Sequence, residues 1–191
     1  SWLFGAATGK NITFIITGGT FNDIVCGVGT SSSNGNVTNN ISGGTFEKEF
    51  YGVGGAKSAP LTVKAVVNNI SGGIFKQKAH GIGFAYCESV QNKLSGTAAF
   101  KSSFAAAIDE GGGKTEVKGK LYTRIFADTL GNAPTFEVGS NANGYSYLGG
   151  FRDAAAPTVY SRNADCIETV IEAGTFGNAC FGEWGGRIGS D

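Results

Sequence analysis

Short runs of alternating apolar and polar residues, each closed by glycine, organise this chain. NITFIIT (11–17), NVTNNIS (36–42), VVNNIS (66–71), SVQNKLS (89–95), EVKGKLY (116–122) and IETVIEA (167–173) alternate with a period of two, the pattern of a half-buried β-strand. A second set of short strands starts at an aromatic, in TFND (20–23), TFEKEF (45–50), IFKQK (74–78) and AFKSSF (99–104). A third carries CGVG (26–29), YGVG (51–54) or HGIG (80–83). Alternation puts Ile12, Phe14 and Ile16 on one face and Val37, Asn39 and Ile41 on the equivalent one. It predicts an inward ladder of Asn39, Asn68 and Asn92 whose amides bond one another, with Asn40 and Asn69 outward.

The three strand types recur together. Phe21, Phe46, Phe75, Phe100, Phe126, Phe151 and Phe176 are 25, 29, 25, 26, 25 and 25 residues apart. Five residues before the aromatic stand Ile16, Ile41, Ile70, Leu121 and Ile171, with Leu94 displaced by one. Four after it come Val25, Phe50, Ala79, Phe104, Leu130, Ala155 and Cys180, and seven after it Val28, Val53, Ile82 and Ala107. A period in this range with several ladders in phase is the signature of a repeat fold in which each unit buries its apolar face only against the next. The pattern predicts an all-β, right-handed parallel β-helix of about seven coils of ~25 residues, forming one domain over 1–191, with almost no α-helix. At ~4.8 Å per rung the rod is roughly 34 Å long. Insertions are expected at turns 30–36, 56–62, 109–114 and 131–146, the last protruding furthest.

The units TGGTF, SGGTF and SGGIF, each followed by GVG or GIG, resemble those of bacterial surface and secreted β-solenoid proteins, whose repeats carry GGTF and a glycine-rich turn. The match covers 18–29, 43–55 and 72–83 and part of 174–186; 97–165 matches only in spacing. The resemblance implies right-handed β-helix architecture and an extracellular or cell-surface location. It supplies no catalytic residue.

Composition narrows the field. Thirty-two glycines with only three prolines and no G-x-y period exclude collagen and require many tight turns. Fifteen basic and fifteen acidic residues cancel, so no global field selects nucleic acid. Apolar runs are too short for a membrane-spanning helix. The absence of any Met is the expectation for a processed product or a fragment. The cysteines at 26, 87, 166 and 180 form no CxxC pair; disulfides and buried thiols both fit. Sequons begin at Asn11, Asn36, Asn40 and Asn69, candidate N-glycosylation sites in a eukaryotic secreted protein.

Candidate chemistry is sparse. IDEGGGKT (108–115) departs from a phosphate-binding loop at its first glycine and precedes a strand pattern rather than a helix. GGRIGSD at the end misses the calcium nonapeptide by one residue. His80 is the single histidine, which excludes histidine-based metal sites, and its place beside GIG predicts an exposed turn. Two residues after the aromatics come Asp23, Lys48, Gln77, Ser102, Asp128, Asp153 and Asn178. Stacking would set Asp128 and Asp153 about 5 Å apart, as in a retaining carboxylate pair, with Arg152 and Arg124 near for an acidic sugar. The plainer reading is a solvated charge ladder that Arg152 neutralises. A Thr row for ice binding is broken, because Ile74, Ala99, Ile125 and Gly150 interrupt Thr20, Thr45 and Thr175.

These observations predict a structural or adhesive surface element without cofactor, metal or catalysis. The alternative is a polysaccharide-binding or polysaccharide-cleaving β-helix using Asp128, Asp153 and Arg152. Surface glycans would meet loop 131–146 with Tyr145, Tyr147 and Phe151. Neither end has a charged amphipathic cap, so head-to-tail self-assembly is expected through Trp2, Phe4, Cys26, Cys180 and Trp184. The competing expectation is that Trp2, Leu3 and Phe4 close the first coil.

Overall fold

The computed structural model describes residues 1–6, 10–29, 33–54, 60–109, 115–137, 146–153, 164–177 and 179–180, with backbone alone for 6, 33, 34, 109, 147, 149–153, 179 and 180. The strands are β1 (Trp2–Ala6), β2 (Asn11–Ile16), β3 (Thr20–Phe21), β4 (Ile24–Val28), β5 (Ser33–Phe46) and β6 (Phe50–Gly54). There follow β7 (Leu61–Phe75), β8 (Ala79–Gly83), β9 (Ala85–Leu94), β10 (Ala99–Phe100), β11 (Phe104–Asp109) and β12 (Glu116–Ile125). The last are β13 (Thr135–Phe136), β14 (Ser146–Asp153), β15 (Ala164–Ile171), β16 (Thr175–Phe176) and β17 (Ala179–Cys180). The described residues contain no helix, and so none long and apolar enough to cross a membrane.

Every pairing among the described residues is parallel. The chain visits two sheets in turn. The first has the order β1-β4-β6-β8-β11-β14-β17. The second stacks β2, β5, β7, β9, β12 and β15 at its long strands, and β3, β5, β7, β10, β13 and β16 at the aromatic. Each strand returns beside its counterpart one period earlier, which makes a coiled, solenoid-like all-β architecture. The predicted columns are seen in register: Val25↔Phe50↔Ala79↔Phe104 and Val28↔Val53↔Ile82↔Ala107 in the first sheet, and Ile16↔Ile41↔Ile70↔Leu94 in the second.

The core is an aromatic stack. Rings of Phe21, Phe46, Phe75, Phe100, Phe136 and Phe176 lie 5.0, 4.5, 4.9, 4.9 and 5.1 Å apart and nearly parallel, the separation that parallel strands impose. Phe126 and Phe151 are therefore not members, contrary to the spacing-based expectation. Ile125, not Leu121, pairs with Leu94, so Phe126 stands just past the isoleucine column, well short of the aromatic one, and lies under the Arg124 guanidinium, 4.5 Å from it. The chain turns there and returns at Thr135–Phe136, where Glu137 N–H donates to the Phe100 carbonyl (2.8 Å). Leu130, expected inside, is 85 % exposed in that turn. Phe151 pairs with Ala107, in the Val28 column of the other sheet. The insertions are also shorter than expected, since 33–36, 61–62 and 135–136 are strand. With Thr135 in place, the Thr row reads Thr20, Thr45, Ile74, Ala99, Thr135 and Thr175, still broken.

Glycine in the repeat has two jobs. Gly44 and Gly73, second of each pair, take φ of 104° and 102° to turn the chain into the aromatic strand, a conformation costly for other residues. Gly52 and Gly81 serve the asparagine ladder. Asn39 Nδ2 donates to Asn68 Oδ1 (2.7 Å) and the Gly52 carbonyl (2.9 Å); Asn68 Nδ2 donates to Asn92 Oδ1 (2.7 Å) and the Gly81 carbonyl (3.0 Å). All three amides are fully buried. A Cβ on Gly52 would lie 2.2 Å from Asn68 Oδ1, and one on Gly81 2.4 Å from Asn92 Oδ1. The bare backbone of one sheet thus receives the amides of the other.

Candidate functional site

The carboxylates suggested by spacing are not brought together. Asp128 sits in the turn after β12, where it accepts from Leu130 N–H (2.9 Å), Asn132 N–H (2.8 Å) and Asn132 Nδ2 (3.0 Å). The Asn132 side chain, followed by these backbone donors, holds its carboxyl below the usual aspartate range. Asp153 lies in β14, in the other sheet, paired with Asp109, and Arg152 pairs with Ile108. The misplacement follows from Phe126: once it leaves the aromatic column, the residue two positions on leaves the rung. Arg124 is bound by Glu172 through Nε (2.8 Å) and Nη2 (3.1 Å). The described residues hold no cluster of His, Cys, Asp and Glu able to bind a metal, and IDEGGGKT is followed by the strand β12.

His80 is a second correction. It is fully buried in β8, its ring 4.7 Å from that of Tyr51, because the outer face of the first sheet is covered rather than solvated. Cys26, Tyr51 and Ile108 form a small apolar cluster on that face, joined by Phe4 and Ile24. Cys26 and Cys87 are buried free thiols, and Cys166 is an exposed one. Burial pushes the Cys87 thiol up to about 12; burial and then the Glu49 carboxylate push that of Cys26 up further.

The four sequon asparagines lie along the second sheet. Asn11 pairs with Asn36 and Asn40 with Asn69 on neighbouring strands, linked by Asn36 Nδ2 to Asn11 Oδ1 (3.3 Å) and Asn69 Nδ2 to Asn40 Oδ1 (2.8 Å). The second pair is half-buried. Tyr145 and Trp184 lie outside the described residues, as do the side chains of Tyr147, Phe151, Arg152, Asp153 and Cys180.

The remaining candidate is the N-terminal edge. β1 does not fold across the core; it joins the first sheet as a further strand, with Trp2↔Ile24, Leu3↔Val25 and Phe4↔Cys26. This covers Cys26, which is 0 % exposed; the Cys180 backbone pairs with Tyr147 at the far edge of the same sheet. The Trp2 ring stacks on Phe4 (5.8 Å) and Tyr51 (5.9 Å). Among the described residues β1, β2 and β3 each have a strand on one side only. Trp2 and Leu3 are each 44 % exposed and Ile15 63 %, and Phe21 is half-buried. An edge with unpaired backbone groups and apolar side chains is a template for another strand. Searches against family models, curated proteins and solved structures found no match.

Proposed function

We propose that this chain is a right-handed parallel β-helix of about seven coils, related in design to the GGTF-type surface solenoids, and that it serves outside the cell as a structural or adhesive element built by end-to-end assembly. The N-terminal edge carries this reading. Its positions are those of interior rungs: Thr20–Phe21 repeats Thr45–Phe46, and Ile16 repeats Ile41. At the other end Ile171 and Thr175–Phe176 stand in the same columns. A second copy would set Phe176 over Phe21 and Ile171 over Ile16, extending both the ladder and the aromatic stack. Such a contact is heterologous and open, so it grows a filament. This reading gives no catalytic role to Asp128, Asp153 and Arg152, since Asp128 is held in the turn after β12 while Asp153 and Arg152 lie in the other sheet.

Sedimentation and electron microscopy of native protein test this reading. Filaments or a concentration-dependent series of oligomers are expected. Leu3→Lys with Ile15→Lys should leave monomers with unchanged β-sheet circular dichroism. A sharp monomer for the unmodified chain at all concentrations would overturn it.

A further inference from the structure

We infer that a groove across the second sheet binds an extended acidic polysaccharide with one carboxylate per disaccharide; this takes up the adhesive part of the reading above and is independent of assembly. The groove, of about 800 Å³, is lined by Lys10, Lys64, Tyr86, Glu88, Glu116 and Lys118, with Gly35 and Thr62 between them. These residues come from successive strands. Asn34↔Val63 and Asn36↔Ala65 set Gly35 beside Lys64, Val63↔Cys87 sets Lys64 beside Glu88, and Val117, before Lys118, pairs with Cys87. The Asn36 N–H donates to the Lys10 carbonyl (3.1 Å), which places Lys10 on the row as well. One row therefore reads Lys10, Gly35, Lys64, Glu88, Lys118, and the row beside it Thr62, Tyr86, Glu116. The groove runs along the stack, perpendicular to the strands.

Its floor and chemistry fit a sugar chain. Gly35 lets the first two strands of the row approach closely, since a Cβ there would lie 1.6 Å from the Lys10 carbonyl oxygen, and it puts no side chain between Lys10 and Lys64. The floor between the two rows is the strand at Val63 and Cys87, whose side chains turn inward to the core, and half-buried Tyr86 offers a ring for a pyranose face. Elsewhere on the surface several charges pair across rungs, as in Lys76–Glu47, Lys101–Glu137, Lys120–Glu168 and Arg124–Glu172. None of the five charged groups in the groove forms an ion pair among the described residues. The lysines occupy alternate rungs, roughly 10 Å apart at ~4.8 Å per strand. One rung is close to the rise of one sugar in an extended chain, so every second sugar meets an ammonium. Glu88 stands between Lys64 and Lys118, and Glu116 beside Lys118 in the next row, as acceptors for sugar hydroxyls, and they disfavour a polymer charged at each unit.

The test is calorimetric titration of the folded protein with hyaluronan octasaccharide, polygalacturonate of equal length and a neutral cello-oligosaccharide. Binding of the first, at least tenfold tighter than of the other two, is expected. Lys64→Glu, Lys118→Glu and Tyr86→Ala should each weaken it tenfold or more, with circular dichroism unchanged. Lys48→Glu, exposed and outside the groove, should not. Absence of binding to all three overturns the inference, as does equal loss in Lys48→Glu, which would mean diffuse charge attraction. Tighter binding of polygalacturonate overturns the two-rung spacing. The assembly-blocked Leu3→Lys/Ile15→Lys protein should bind as the parent does, and Lys64→Glu should assemble normally, so failure of the groove and of the filament reading are separable.

Discussion

Two stretches of the same stack solve one packing problem differently. Up to Asn92, each inward amide faces a glycine in the other sheet: Gly27 with Asn39, Gly52 with Asn68, Gly81 with Asn92. Beyond it, Ala106 replaces the glycine and Thr123 continues the amide column, paired with Asn92 across the sheet. The hydrogen bonds lengthen there: Asn92 Nδ2 reaches the Ala106 carbonyl at 3.4 Å and Thr123 Oγ1 at 3.5 Å, against 2.7–3.0 Å before. Glycine and asparagine act as one unit. A methyl group on one side is matched by a shorter side chain on the other, at the cost of a weaker bond.

That pairing can be broken directly. In Gly81→Ala the new methyl would lie 2.3 Å from the Ala106 carbonyl oxygen and 2.4 Å from Asn92 Oδ1. A loss of about 3 kcal/mol is expected in denaturant unfolding. Adding Asn92→Thr copies the later rung and should recover about 1 kcal/mol of non-additive stability; simple additivity would show that the two sites are independent. Next in size is the contrast within the ladder. Asn68 donates twice and accepts from Asn39, whereas Asn39 Oδ1 accepts no hydrogen bond from the described residues. Asn68→Ala should cost about 3 kcal/mol and Asn39→Ala about 1 kcal/mol less than that. Equal losses would remove the distinction between a ladder's middle and its end.

The two stretches should also differ in thiol chemistry. At pH 8 a thiol of pKa about 12 is ionised to only about 10⁻⁴. Cys166 should therefore label at least a hundredfold faster than Cys87 or Cys26 in the folded protein, read by peptide mass spectrometry, and urea should equalise all three. The smallest effect is at the Asp128 turn. Its folded pKa lies below the unfolded value, so its stabilising contribution is complete above the ordinary aspartate range and is lost as pH falls through the folded value. Asn132→Ala should move the Asp128 titration, followed by NMR, up toward the ordinary range; an unmoved midpoint would mean that the Asn132 side chain is not its main cause.

The sequence displayed whichever features are local and repeated. Alternation alone located Asn39, Asn68 and Asn92 inside, and the GG pairs located the turns. It misled where a coincidence of spacing outweighed local chemistry. Phe126 lies 26 residues after Phe100, yet the Thr–Phe pair at 135–136, matching 20–21, 45–46 and 175–176, marks the true column. The burial of His80 and Cys26 was not legible, because it depends on what covers the outside of the first sheet. β1 is part of that cover and carries no repeat motif. Nor was the groove, whose rows come from strand segments before the regular alternation, where β12 shifts register between Val117 and Leu121.

The aromatic stack also has a mechanical meaning. Because each ring leans on the rings of adjacent rungs, with Phe50 and Phe104 of the first sheet set against Phe46, Phe75 and Phe100, tension applied at the two termini of the chain finds no lock spanning the whole molecule. Rungs should peel away from an end one at a time, each freeing ~25 residues and roughly 85 Å of contour length at ~3.4 Å per residue. A force–extension trace would then be a staircase of similar steps rather than one large rupture. The peg-like fit of Asn39, Asn68 and Asn92 against glycine backbone would make the steps through those rungs the hardest to trigger, so that the molecule yields first where alanine and threonine have taken their place.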